Sequence, residues 1–135
     1  MKEITLDAVV ENIEKATDFV DEFLEDNACP MKAKMQIDIA IDELFSNIAY
    51  YAYPDAVGKV TIQTELLAEQ NAVCITFIDW GKPYNPLEQA DPDVTLSVEE
   101  RTIGGLGIFM VKKNMDDVQY FYREGQNHLK IIKGI

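Results

Sequence analysis

The spacing of apolar residues changes near Gly58, and this change restricts the chain to folds that combine helices with a sheet. Before it, residues 9–25 and 30–52 carry apolar side chains at the intervals of three and four that mark one face of a helix. Pro30 suits the first turn of the second segment, and Pro54 follows its end. The first half of the chain is therefore predicted to hold two successive helices.

Beyond the second predicted helix, apolar and polar residues alternate, as they do in half-buried strands. Residues 59–68 and 72–80 predict an antiparallel pair, and residues 4–8 predict a short first strand. Residues 117–124 and 127–133 predict two further strands near the end of the chain. We expect these segments to form the sheet.

A long loop and a third helix separate the two later groups of strands. Residues 80–103 contain three prolines and many carboxylates, which predicts a loop, and loops of this length often serve as functional lids. A glycine turn then opens a helix that ends near Asn114. Because each element has one apolar face, the simplest packing places three main helices on one face of a mixed, mostly antiparallel sheet. The predicted fold class is α+β, a two-layer α/β sandwich.

Length and charge limit the function classes. At 135 residues the chain fits one domain, residues 1–135, and its net charge of −12 makes attraction to nucleic acid or an anionic membrane unexpected. The sequence shows neither a signal peptide nor a run of roughly 20 apolar residues, so a cytoplasmic location is expected. Cys29 and Cys74 have no CxxC spacing, and no histidine cluster accompanies them, which predicts neither a disulfide scaffold nor a zinc site.

Two polar side chains, Glu43 and Asn47, lie four residues apart within the second predicted helix. On a helical wheel they share a line roughly a quarter turn from the apolar stripe that contains Ile37, Ile41 and Leu44. From this border they could project into a cleft against a covering element. They could equally form one hydrogen-bonded pair on a solvated helix edge, because polar pairs at this spacing are common.

Asp79 ends an apolar strand, and Gly81 follows two residues later. Turn chemistry alone accounts for aspartate and glycine after a strand. The alternative is an aspartate that accepts a hydrogen bond from a ligand amino group, beside a glycine that lets a flat ring approach the backbone.

Three of the seven glycines, Gly104, Gly105 and Gly107, immediately precede the third predicted helix. A close-packed turn would explain them. Phosphate binding would also explain them, because free backbone N–H groups and the positive end of the helix dipole meet there. An acidic chain could hold a polyanion in this way without a basic patch. Neither GxGxxG nor GxxxxGK[ST] occurs, so a dinucleotide fold or a P-loop is not supported.

Taken together and in order, the motifs "ELFSN", "DWGKP" and "GGLGIF" resemble the N, G1 and G2 boxes of the GHKL ATPase superfamily. That superfamily includes gyrase, MutL and histidine kinases. Within it, the short chain is similar to the anti-sigma factor serine/threonine kinases, from its first strand to its last. The resemblance implies the GHKL ATPase fold, with ATP and Mg²⁺ as cofactors.

The resemblance also implies catalytic roles. Glu43 would act as the general base that polarises an attacking hydroxyl, and Asn47 would bind magnesium, which keeps much of its water and takes one or two protein oxygens. Arg101 would contact the terminal phosphate and stabilise charge in the transition state, unless it is a solvated loop arginine.

Nucleotide contacts are implied at five further positions. Asp79 would recognise the adenine amino group, and Gly81 would line the adenine pocket. The backbone amides of Gly105, Leu106 and Gly107 would meet the phosphates.

The chain departs from the family pattern at several places. Tyr51 stands where many relatives have a histidine, four residues after the magnesium asparagine. Gly104 is an extra glycine in "IGGLG", which makes it a further candidate for the phosphate site and blurs the alignment of Arg101 by a residue. Asn127 could contact the nucleotide or could be a turn residue, and His128, the only histidine, is expected to be a strand residue and not a catalyst.

The best functional interpretation is an anti-sigma regulatory factor that transfers the γ-phosphate of ATP to a serine or threonine of an anti-anti-sigma protein. A sigma factor would be the competing partner, and the first strand would suit a homodimer. An alternative is a non-catalytic regulator in which ATP orders a protein-binding surface. The catalytic piece of a histidine kinase would need a phosphoacceptor histidine on a preceding helical hairpin, and the sequence supplies none upstream.

Overall fold

The computed structural model of the chain describes residues 1–88 and 105–135. These residues form three α-helices and five strands, and a π-helix, Ile48–Ala52, continues the second α-helix. In chain order the elements are β1 (Lys2–Asp7), α1 (Ile13–Asp26), α2 (Met31–Asn47), β2 (Lys59–Leu67), β3 (Ala72–Asp79), α3 (Gly105–Asn114), β4 (Asp117–Arg123) and β5 (Gln126–Gly134).

The strands form one sheet in the order β1-β2-β3-β5-β4. All four pairings between the described strands are antiparallel, so none of the parallel pairing that a mixed sheet would allow is found among them. Apolar side chains of the helices and of the sheet share one core cluster. The prediction of an α+β sandwich, with helices on one face of a mostly antiparallel sheet, is confirmed.

Strand β3 is central in this sheet, and all eight of its residues are buried. Its side chains Ile75 and Phe77 belong to the same core cluster as Ile41, Leu44 and Phe45 of α2. Burying apolar side chains of this size contributes roughly 1.5–3 kcal/mol each. This packing fixes the end of α2 above the end of β3, where the candidate residues lie.

Two predicted helix boundaries shift in the structure. The segment predicted from residue 9 begins with a 3₁₀ turn, Val10–Asn12, before α1 starts at Ile13. The segment predicted to reach residue 52 is α-helical only to Asn47 and then widens into the π-helix. Apolar periodicity cannot distinguish these hydrogen-bond patterns, because all of them place similar residues on the buried face.

The predicted loop 80–103 is described only in part. Residues 80–88 contain a 3₁₀ turn, Pro86–Glu88, and the remaining residues lie outside the described part of the chain. Within the described residues, no helix combines the length and hydrophobicity needed to span a bilayer.

An acidic pair lies between α1 and α2, where Asp21 faces Asp38. Lys34 Nζ lies 3.4 Å from Asp21 Oδ2 and 3.7 Å from Asp38 Oδ2. The Oδ1 atom of each carboxyl group is buried and has no hydrogen-bond partner. Burial, a hydrogen bond to Asp21 and the charge of Asp21 raise the pKa of Asp38 to about 7, and Lys34 opposes this shift. A proton shared by the two carboxyl groups would supply the missing hydrogen bond.

This pair predicts a pH-dependent stability. The pKa of Asp38 is raised in the folded state, so its ionisation destabilises the fold as pH rises from about 4, its ordinary pKa, through about 7. We expect Asp38→Asn to raise the free energy of unfolding most above pH 7, with a gain that shrinks as pH falls towards 4. Urea denaturation at several pH values measures this difference. Asp18→Asn, an exposed change on α1, is the control, and a pH-independent effect of Asp38→Asn would contradict the argument.

Candidate functional site

A cavity opens between the end of α2, the π-helix and the carboxyl end of β3. Its walls are mostly apolar, and the candidates Asn47, Tyr51, Asp79 and Asn127 are brought together on them. The full lining consists of Leu44, Asn47, Ile48, Tyr51, Ala52, Asp79, Lys82, Tyr84, Pro86, Tyr120, Asn127 and Leu129. An apolar cavity with a few convergent polar groups is the usual form of a small-molecule site.

Asp79 provides the carboxylate of this cavity, and 5% of its surface is exposed. Its Oδ1 accepts hydrogen bonds from the Gly81 amide at 2.9 Å and from Asn127 Nδ2 at 2.9 Å. No hydrogen bond from the described part of the chain reaches Oδ2. Burial raises the pKa of Asp79, and the bonds from Asn127 and Gly81 counteract part of that rise. The residue therefore presents one occupied and one available oxygen.

Gly81 is held close to the end of the helix. A methyl group on Gly81 would overlap the carbonyl of Ala52, and the next amide, Lys82 N–H, donates to that carbonyl at 3.1 Å. Tyr53 Oη accepts a hydrogen bond from the Trp80 amide at 2.7 Å. Only glycine allows the chain to pass this close to Ala52, which gives Gly81 a packing role in addition to any ligand role.

Glu43 and Asn47 form a pair on one edge of α2. Asn47 Nδ2 donates to Glu43 Oε1 at 3.3 Å, which leaves the Oδ1 atom of Asn47 for another partner. Burial raises the pKa of Glu43, the hydrogen bond from Asn47 lowers it, and the charge of Asp42 raises it. The hydrogen-bonded pair expected of a helix edge is therefore present, but it is half-buried and not fully solvated.

Helix α3 covers the Glu43 end of this pair. A methyl group on Gly107 would overlap the carboxyl group of Glu43, so a larger residue there would force the flexible end of that side chain to move. Helix α3 begins at Gly105, which places the amides of Gly105, Leu106 and Gly107 in its first turn. Those amides have no intrahelical acceptor in a regular helix. The candidates Gly104 and Arg101 lie outside the described residues.

Asn127 lies in β5, opposite Asp79 and Tyr122 in the sheet, and is therefore not a turn residue. Its side-chain oxygen and nitrogen both have partners within the protein. His128 follows it in the same strand and stacks on Phe121, with ring centroids 4.5 Å apart. The prediction that His128 is a strand residue is confirmed.

Sequence reasoning missed several residues of the cavity, among them Lys82, Tyr84 and Tyr120. One feature of the sequence could have indicated the hydrogen-bond network around Asn127. The alternation of side chains along β5 places Asn127 on the same face as Leu129 and Ile131, which are core residues. A polar residue in a series of core positions indicates a buried hydrogen-bond network.

The side chain of Asn47 offers an oxygen of the kind that magnesium binds. No group of three or more His, Cys, Asp or Glu side chains that could hold a metal occurs within residues 1–88 and 105–135. Magnesium usually takes one or two protein oxygens and completes its octahedron with water and substrate phosphates. The remaining amide oxygen of Asn47 fits that limited requirement.

A comparison with known families finds a match along nearly the whole chain. The family described as "Histidine kinase-like ATPase domain" matches residues 6–133. Similar curated proteins include "Serine-protein kinase RsbW" of Bacillus cereus (strain G9842), 32% identical over 98 residues. The protein of the same name from Bacillus mycoides (strain KBAB4) is 31% identical over 98 residues. These alignments cover 67% of this chain and 58% of each relative, so the chain spans less than two thirds of the curated relatives it matches.

A solved structure has a similar fold. It is described as "Histidine kinase domain from Erythrobacter litoralis EL346 blue-light activated histidine kinase". The TM-score is 0.58 at 14% sequence identity, with 78% of this chain and 46% of that chain covered. At this identity the likeness concerns the fold alone.

The contact between Gly107 and Glu43 predicts a coupling in a double-mutant cycle. Gly107→Ala should change the free energy of unfolding by less than about 1 kcal/mol, because displacement of the flexible Glu43 carboxyl group offsets the better helix preference of alanine. In a Glu43→Ala background the same change should stabilise the fold by up to about 1 kcal/mol, because alanine favours a helix more than glycine does. Urea denaturation of the four proteins measures the coupling. Equal effects in both backgrounds would contradict the contact.

Proposed function

This chain belongs to the histidine kinase-like ATPase domain family, and on that premise we propose that it is an ATP-dependent protein serine/threonine kinase. ATP would bind in the cavity below α2, with the base towards Asp79 and the phosphates towards the start of α3. The γ-phosphate would pass to a serine or threonine hydroxyl of a partner protein.

One observation carries this proposal: the same helix connects two chemically different ends of the site. The π-helix that continues α2 lines the cavity beside Asp79, which suits a flat ring with an amino group. Two turns earlier, Glu43 lies against the first turn of α3, where amide donors and the helix dipole favour phosphate, and Asn47 bonds to it from the cavity side. An adenine nucleotide has matching groups at its two ends.

In the proposed mechanism, Glu43 accepts the proton of the attacking hydroxyl. Its raised pKa suits this role, because a general base is most effective when its pKa is near the working pH. Asn47 would hold Mg²⁺ through its amide oxygen, and the ion would neutralise phosphate charge when bound. Positioning supplies most of the catalysis in phosphoryl transfer, and the α3 amides, the Asp79 carboxylate and the Glu43 base are suited to that task. Arg101 remains a candidate for the terminal phosphate.

The relatives suggest the partner class. Because the similar proteins are named serine-protein kinases, we propose that the acceptor is a serine of an anti-anti-sigma protein and that a sigma factor competes for this chain. The proposal includes a cytoplasmic location, which suits two free cysteines. A homodimer also remains proposed, since β1 is an edge strand of the sheet.

Incubation of the purified protein with labelled ATP, Mg²⁺ and candidate partner proteins tests the proposal. Phosphate incorporation into a partner supports a kinase. Capture of a partner that depends on ATP but gives no incorporation would reject the kinase and favour a nucleotide-gated binding protein.

Glu43→Ala should separate binding from chemistry. We expect ATP affinity to stay within about threefold of wild type, because the adenine and phosphate contacts remain, while transfer falls by about a hundredfold or more. Glu22→Ala, which removes an exposed carboxylate from α1, is the matched control and should retain transfer. Equal losses of binding and transfer in Glu43→Ala would show that Glu43 is not the base.

Asp79→Asn should weaken nucleotide binding first. The new amide oxygen can still accept from Gly81 and Asn127, but the new NH₂ group replaces Oδ2 and faces the adenine amino group, donor against donor. We expect ATP affinity to fall by about 10- to 100-fold. Titration calorimetry measures this loss, and an unchanged unfolding midpoint without nucleotide is the control. Wild-type affinity in the variant would remove Asp79 from the adenine site.

A further inference from the structure

The side chain of Asn127 is saturated with hydrogen bonds inside the protein. Nδ2 donates to Asp79 Oδ1 at 2.9 Å and to the carbonyl oxygen of Lys82 at 2.9 Å, and the carbonyl oxygen of Gly81 lies farther away, at 3.4 Å. Oδ1 accepts from the Tyr84 amide at 3.2 Å and from the hydroxyl of Tyr120. An asparagine amide offers two donors and two acceptor positions, and all four are used. Asn127 therefore cannot bond to a ligand without giving up one of these partners.

The partners also fix which way the amide points. Two donors, from Tyr84 and Tyr120, surround its oxygen, while an acceptor carboxylate and a carbonyl surround its nitrogen. A flipped amide would oppose donor to donor and acceptor to acceptor. The orientation is thus determined by its surroundings, and Asn127 is only 5% exposed, so water cannot easily replace any of the four.

The consequence concerns Asp79. Asn127 and the Gly81 amide both bond to Oδ1, which fixes the carboxylate rotation and leaves Oδ2 to the cavity. We propose that Asn127 is a positioning residue that sets purine selectivity, by holding Asp79 as an ionised acceptor that favours 6-amino over 6-oxo purines. This inference rests on the proposed nucleotide site, and it assigns Asn127 a role through Asp79 and not through contact with the base.

The selectivity follows from simple donor and acceptor chemistry. The 6-amino group of adenine donates a hydrogen bond to an ionised carboxylate, whereas the 6-oxo group of hypoxanthine is itself an acceptor and is repelled. A protonated Asp79 could donate to the oxo group, and discrimination would then weaken. Burial favours protonation of Asp79, and the hydrogen bond from Asn127 opposes it.

The first experiment measures the ionisation of Asp79 directly, without nucleotide. Carboxyl ¹³C NMR titration should show the pKa of Asp79 higher in Asn127→Leu than in wild type by about one pH unit or more, because a hydrogen bond to the charged form is lost. Asn27→Leu is the matched control: it also removes an amide donor, to the Phe23 carbonyl at 2.8 Å, but at the end of α1. If Asn127→Leu does not fold, Tyr120→Phe is the second variant. It removes the hydroxyl that bonds to Asn127 Oδ1, and it should raise the pKa of Asp79 by a smaller amount.

The second experiment measures selectivity. Calorimetric titrations with ADP and inosine diphosphate in Mg²⁺ are made at two pH values, one between the Asp79 pKa values measured for wild type and Asn127→Leu and one above both, and wild type should prefer ADP at both. In Asn127→Leu, ADP affinity should fall by about tenfold at the lower pH and by less at the higher one, with a smaller preference for ADP over inosine diphosphate at the lower pH. The sign follows because Asp79 loses its charge as pH falls through its raised pKa.

The outcomes separate this inference from the function on which it rests. If wild type binds ADP but Asn127→Leu leaves both the Asp79 titration and the ratio of the two affinities unchanged, the role of Asn127 is rejected alone. Equal loss of both nucleotides at both pH values would indicate a merely structural residue and also overturn it. If wild type binds neither nucleotide, the proposed function fails and the selectivity role fails with it.

Discussion

The burial of a carboxylate at the end of the central strand is the constraint on which the rest of the site depends. Strand β3 is buried at every position, including Asp79. Removing a polar or charged group from water costs roughly several kcal/mol unless hydrogen bonds replace the lost hydration. The protein supplies two, from the Gly81 amide and from Asn127, and both reach the same oxygen. The charge is thereby compensated only in part, and the second oxygen remains available to an additional donor.

The need to supply these donors shapes the neighbouring chain. For its amide to reach Asp79, Gly81 must turn back immediately after β3, and that turn brings it against Ala52 at the end of the π-helix. The Lys82 amide then bonds to the Ala52 carbonyl, and Tyr53 bonds to the Trp80 amide. The end of β3 and the end of the α2 segment are therefore joined by several bonds. Because α2 also carries Glu43 against α3, one continuous helical element links the cavity beside Asp79 to the start of α3.

The sequence predicted the fold better than it predicted the network within the site. The change from helical to alternating spacing gave the layers and the strands, because burial of one face per element dictates those periods. The motif residues Asn47, Tyr51 and Asp79 do meet at one cavity. The contributions of Tyr84 and Tyr120 were not predictable, since they depend on strand register and on the path of the chain after β3. The pairing of Asp21 with Asp38 likewise depends on the rotation of two helices, which no local pattern encodes.

The position of Glu43 bears on how so acidic a chain, with a net charge of −12, could hold a polyanion. Gly107 brings the first turn of α3 against the Glu43 carboxyl group, so the positive end of that helix dipole favours the ionised form of Glu43 while burial disfavours it. A phosphate bound at the same helix end would place negative charge near Glu43 and raise its pKa further. The proton affinity of the proposed base would thus be greatest when the nucleotide is in place. In the proposed function, the contact of α3 with Glu43 would serve both anion binding and tuning of the base through the same few atoms.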